Sequence, residues 1–165
     1  MGLIAVDGAL VSAIVTTTTE SMSMASIVPV PVGIGIRLST ARAVTAIIGF
    51  AGSNCGSILL NVSEEGACNL AGKMLGQTYD AMSGEVADGV CEMANIIAGQ
   101  LRSALDKTPQ QIERISVPAV VLGSSYRVAP FKGMLTASVE FAVEGACPIS
   151  KQDLGFAVGL CSLKV

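Results

Sequence analysis

The chain has 165 residues, a formal net charge of −3 and no histidine, with 51% hydrophobic residues against 14% charged. That length reads as a single domain, residues 1–165, with a core of its own. Lack of histidine removes Ser-His-Asp and Cys-His catalysis and any His-ligated metal. The acidic balance, with four Phe, two Tyr and no Trp, offers nucleic acid neither a basic patch nor a stacking platform.

Residues 2–15 are apolar but lack a basic leader, carry Asp7 and are too short to span a bilayer. They are read as part of a helix, 3–22, packed on the domain or on a neighbour in a cytoplasmic protein. The β-branched run of threonines at 16–19 weakens that helix. Over 28–38 the pattern turns to period two. Val28, Val30, Val32, Ile34, Ile36 and Leu38 share one predicted face, while Pro29, Pro31, Gly33, Gly35 and Arg37 share the other. Prolines place this strand at an edge or in an exchange between chains.

Segments 43–51 and 57–62 read as antiparallel strands joined by the turn residues Gly52 to Gly56. Ser63 caps a helix with Glu64 and Glu65 in its first turn, ending at Gly76. Ser83 caps a second helix, with Glu85 in its first turn, that runs to about Lys107 and is stopped by Pro109. Three more strands follow at 115–122, which contains Pro118, at 135–143 and at 154–163. Strands at both ends and helices in the middle make an α+β fold, with a mostly antiparallel sheet and long helices packed on it. Five cysteines, odd in number and without a C-x2-C pair, fit buried thiols in a reducing compartment, with neither disulfide nor structural metal.

The second helix carries the chemistry. At 100° per residue, Asp88, Glu92, Asn95, Gly99 and Arg102 fall in one narrow arc. Val90, Met93, Ala94, Ile97, Leu101 and Leu105 fall opposite, as a core-facing stripe would. An acid and an amide three residues apart project side by side. A mid-helix asparagine is an uneconomical choice, yet its amide both donates and accepts. It can hold a water in line with a phosphorus atom without taking a proton. Glu92 and Asn95 are therefore expected to be exposed above buried Val90, Ile97 and Leu101. A solvated helix face is the plainer reading of the stripe alone.

The stretch DGVCEMANIIAG (88–99), followed at the right spacing by ISVPAVVLG (115–123), resembles the CheC/CheX/FliY group of chemotaxis phosphatases. Their signature is Asp or Ser, three residues, Glu, two residues, Asn, and Pro some twenty-two residues later. Asp88, Glu92, Asn95 and Pro118 match it. Two-site members repeat the Glu/Asn pair on the preceding helix. Counted from Ser63, those positions hold Ala67 and Leu70, so the chain is similar to the single-site CheX type, whose members form homodimers.

That resemblance implies a CheC-like fold and hydrolysis of the aspartyl phosphate on a CheY-like response regulator. Asn95 would orient the attacking water and Glu92 would pair with the regulator's active-site Lys. The Mg²⁺ would be the regulator's, and the chain would hold no cofactor or metal of its own. Asp88 and Pro118 would shape the helix and adjoining strand, and Gly99 would leave room for docking. Neither nucleic acid nor membrane insertion is expected. The alternative is a non-catalytic dimeric module of this fold that binds a response regulator or a signalling or motor complex.

Overall fold

The computed structural model describes residues 6–145 and 153–164. Its elements are α1 (Gly8–Ser23), β1 (Pro29–Gly35), β2 (Val44–Ala51), β3 (Asn54–Val62), α2 (Glu64–Leu75), α3 (Gly84–Ala104), β4 (Arg114–Ile115), β5 (Ala119–Leu122), β6 (Leu135–Val143) and β7 (Phe156–Lys164). All strand pairings are antiparallel, in the order β1-β6-β7-β3-β2-β4, with β5 also on β2. The α+β expectation, a mostly antiparallel sheet carrying helices, holds.

Alternation along the strands sends two sets of side chains to opposite faces. Val44, Ala46 and Ile48 of β2 share a face with Ile58, Leu60 and Val62 of β3, with Phe156, Val158 and Leu160 of β7, and with Ala137, Val139 and Phe141 of β6. All are buried in one cluster beneath the helices. Helix α3 packs on β2 and between α1 and α2, touching both. Its contact with α2 is close, because a Cβ built on Gly89 would lie 2.9 Å from that of Ala71.

On the other face the chain crosses from β1 to β2, seating Leu38 with Leu59 and Cys161. Buried Asn61 fastens this crossing. Its amide donates to the carbonyls of Arg42 (2.8 Å) and Val44 (3.3 Å) and to Thr45 Oγ1 (2.9 Å), and its carbonyl accepts from the Arg42 N–H (3.1 Å). The Arg42 guanidinium then bridges Glu140 and Asp153, each at 2.9 Å.

Three boundaries differ from those that the sequence predicts. α1 begins at Gly8, because the Asp7 carboxylate accepts from the N–H groups of Ala9 and Leu10 as an N-cap; residues 3–5 of the expected helix lie outside the described residues. The threonine run is tolerated where Thr17 Oγ1 donates back to the Ala13 carbonyl and Ser21 Oγ to that of Thr17. β3 begins at Asn54 rather than Ser57, leaving Gly52 and Ser53 as the turn. Asn54 is buried and donates to the carbonyls of Pro109 and Gln111. A Cβ on Gly56 would fall 1.9 Å from the Cys161 carbonyl oxygen. Both look like turn residues but serve packing. α3 ends at Ala104, three residues earlier than expected, and Lys107 takes a positive φ beyond it.

β1 is an edge strand, as its prolines require, but its faces are not those that alternation predicts. The register slips between Pro31 and Gly33, leaving Val32 unpaired. Val30 therefore opposes Ala142 on one face while Ile34 opposes Val139 on the other. The Val28 carbonyl accepts from the Glu144 N–H. Ladder alternation then puts the nitrogens of Pro29 and Pro31 on the strand's outer edge, where the missing N–H groups cost no bond to β6.

Candidate functional site

Ser83 starts α3 by accepting from the Val86 N–H, and Glu85 sits in its first turn. The helix rises for about 30 Å. Val90, Met93, Ala94, Ile97 and Leu101 are buried along its length, while Asp88, Glu92 and Arg102 are exposed. The expected arc is the solvent side of the helix. One part of the expectation needs correction: Asn95 is only partly exposed. Two walls rise beside it.

On one side, Asp88, Cys91, Glu92 and Asn95 line an open groove of about 490 Å³ with Ile115, Ser116, Val117 and Pro118. On the other, Asn95 and Gly99 face Thr16, Thr17 and Glu20 of α1. Asn95 thus stands on a crest, reachable from both grooves. Among the described residues its amide makes no side-chain hydrogen bond, and neither does the Glu92 carboxylate. Both groups are free to act outward. Nothing lies within 4 Å of a Cβ built on Gly99, so packing within the domain does not demand a glycine there.

The structure brings the four signature residues, Asp88, Glu92, Asn95 and Pro118, to one groove. The expected strand 115–122 is broken into β4 and β5 over residues 116–118, with Pro118 directly before β5. Asp88 makes no side-chain hydrogen bond or ion pair among the described residues, so its expected shaping of the helix has no partner here. It adds negative charge beside Glu92. Burial first, and the Asp88 charge second, push the Cys91 thiol above its ordinary range. The thiol in this groove is therefore protonated at neutral pH and a poor nucleophile.

Several lining residues were not singled out in the sequence. Cys91 and Ser116 carry no pattern of their own. Thr16, Thr17 and Glu20 reach the site only because α1 docks on α3, a long-range contact that periodicity does not encode. Val117 had a signal, a proline inside an apparent strand, which marks an edge or a bulge.

On α2, Ala67 and Leu70 are buried where a second Glu/Asn pair would have to face solvent. Cys55, Cys68, Cys91 and Cys161 carry free thiols; Cys147 lies outside the described residues. Among the described residues no three His, Cys, Asp or Glu side chains converge as a metal site. None of the described helices is long and apolar enough to cross a membrane.

The model of the family described as chemotaxis phosphatase CheX matches residues 44–142, a span that runs from β2 into β6 and holds all four signature residues. The chain belongs to the CheX family. Its fold agrees with solved members. CheX from Desulfovibrio desulfuricans is 24% identical, over 93% of this chain and 99% of that one, at a TM-score of 0.77. CheX from Borrelia burgdorferi, solved in complex with CheY, BeF3 and Mg²⁺, is 22% identical over 92% and 96%, at 0.73. FliY from Thermotoga maritima is more distant, 15% identical over 93% and 84%, at 0.63. No curated protein sequence matches significantly.

Proposed function

We propose that this CheX-family chain hydrolyses the aspartyl phosphate of a CheY-like response regulator, docking it on the crest of α3. The observation that carries this is the pairing of Glu92 and Asn95 on one accessible helix face, with no side-chain hydrogen bond to either group among the described residues. Asn95 enters the regulator's active site and its amide holds a water in line with the phosphorus. The water oxygen bonds to phosphorus as the bond to the aspartyl oxygen breaks. The carboxylate leaves and inorganic phosphate carries off the remaining protons.

Positioning of this kind suits phosphoryl transfer, where geometry and charge do most of the work. Glu92 pairs with the regulator's active-site Lys and sets the register of docking. Mg²⁺ is the regulator's contribution and offsets charge on the phosphoryl oxygens. Gly99, one turn beyond Asn95, keeps the crest low where the regulator settles. The partner in the Borrelia burgdorferi complex is a CheY, which supports a partner of this class here. We place the chain in the cytoplasm, where such a regulator works.

We further propose that the working form is a homodimer joined through β1, which among the described residues pairs with β6 alone. Val32 and Ile34 are 64% and 62% exposed on that edge, more apolar surface than a solitary edge strand usually leaves uncovered.

The test is phosphate release from a phosphorylated CheY-type receiver domain. The wild-type chain should accelerate release, and Asn95→Ala should lose about 10²- to 10³-fold, as when one positioned hydrogen-bond group is removed from a reacting centre. An Asn95→Ala variant with full activity would overturn the assignment. A wild-type chain that binds the regulator without releasing phosphate would favour the binding-module alternative.

A further inference from the structure

β4 and β5 pair with one continuous strand, β2. Phe50 opposes Ile115 and Ile47 opposes Ala119. Between these pairs β2 has two residues, Ile48 and Gly49, whereas the facing chain has three, Ser116, Val117 and Pro118. One extra residue on one side is a β-bulge, a device that re-aims a side chain next to functional sites. Proline suits it, having no N–H to lose from the ladder. The bulge is clasped at its start. The Ser116 N–H donates to the Gly49 carbonyl (2.8 Å), the Gly49 N–H donates to Ser116 Oγ (3.0 Å), and Ser116 Oγ donates to the Val117 carbonyl (2.9 Å).

The residue so held is Val117, 85% exposed and lining the same groove as Asp88, Glu92 and Asn95. Single exposed apolar residues are ordinary. This one is fixed in backbone, stiff at χ1, and set beside two polar groups that have no side-chain partner among the described residues. Little conformational entropy would be lost on burying it.

We infer that Val117 is a docking residue for the phosphorylated regulator. It seats against an apolar side chain flanking the phosphoryl-bearing aspartate and adds affinity, while the register that sets Asn95 stays with Glu92. Ser116 is a positioning residue that acts through it. This inference rests on the regulator-docking reading above, and it adds an apolar second point of contact to the Glu92 charge pair.

The experiment measures steady-state phosphate release from a phosphorylated CheY-type receiver, and binding of the same receiver loaded with BeF3 and Mg²⁺. It compares the wild-type chain with Val117→Ser, Val117→Ile, Ser116→Ala and Asn95→Ala. Val117→Ser should raise KM and weaken binding about tenfold, the loss that one buried valine side chain carries, with kcat within twofold. Val117→Ile should restore both. Ser116→Ala should give a smaller rise in KM. Thermal unfolding of Val117→Ser should match wild type, since the side chain touches little of the domain.

Unchanged KM and binding for Val117→Ser, while Asn95→Ala abolishes turnover, would overturn the docking role and leave the phosphatase reading intact. A fall in kcat alone would overturn it too. If wild type binds the loaded receiver through Val117 yet releases no phosphate, the hydrolysis fails and the docking role stands. No binding by wild type would overturn both.

Discussion

Asn95 has acceptor and donor together and no side-chain partner among the described residues, and that combination separates it from an ordinary solvated amide. Glu92, one turn below, carries a charge that no ion pair meets among the described residues. Their variants should therefore fail differently. Glu92→Ala should raise KM and lower kcat together, because losing a charge pair across an interface weakens binding and loosens the register. Steady-state phosphate release at several receiver concentrations checks this. Cys91 is a quieter neighbour. Burial and then Asp88 hold its thiol pKa up, so alkylation by iodoacetamide at pH 7 should be slower than that of a free thiol. Asp88→Asn should speed it by a few-fold, because removing the negative charge lowers the thiol pKa and enlarges the thiolate fraction. Mass spectrometry of the labelled peptide reads the rate.

Helix α3 holds its crest outward because its buried side is gripped from three directions, by α1, α2 and β2. The grip on α2 runs through Gly89 and Ala71. Gly89→Ala should cost about 1–3 kcal/mol, the range for overpacking a tight contact. Adding Ala71→Gly should recover part of it, since contacting sites are not additive; urea unfolding of the single and double variants decides. α3 itself was legible, because a 3.6-residue stripe, a serine cap and a following proline are all local signals. Both ends of α2, at Ser63 and Gly76, were equally plain, as the left-handed Gly76 is a common helix stop. What could not be read was anything set by a bulge. Strict alternation misassigned the faces of β1, where Val32 is extruded, and ran β4 and β5 together across Val117. A bulge shifts parity by one residue, and sequence pattern records parity only while pairing is unbroken. The groove beside Asn95 was hidden for the same reason, and its other wall depends on where α1 docks.

The sheet joins two tasks, supporting α3 on one face and fastening the β1–β2 crossing on the other. Asn61 is central to the second. With its two amide N–H groups shared among three acceptors and one bond accepted, all in buried or partly buried surroundings, Asn61→Ala should cost about 2–3 kcal/mol and lower Tm by roughly 5–10 °C. Calorimetry tests this, and phosphatase activity below the transition should be little changed. The proposed dimer belongs to this scale as well. At tens of micromolar, light scattering should give twice the chain mass, and Ile34→Lys should shift it toward the monomer, since a charge on an exposed apolar edge opposes pairing. A wild-type monomer at that concentration would contradict the dimer.

In the proposed mechanism the Asn95 amide positions the attacking water after docking has been achieved by other groups. The most direct measurement is single-turnover decay of a phosphorylated CheY-type receiver at saturating concentrations of the wild-type chain and of Asn95→Ala. Decay should be fast with wild type and within a few-fold of the receiver's own rate with the variant, while the two proteins saturate at similar concentrations. Equal decay rates for both at saturation, with the fold intact, would contradict it.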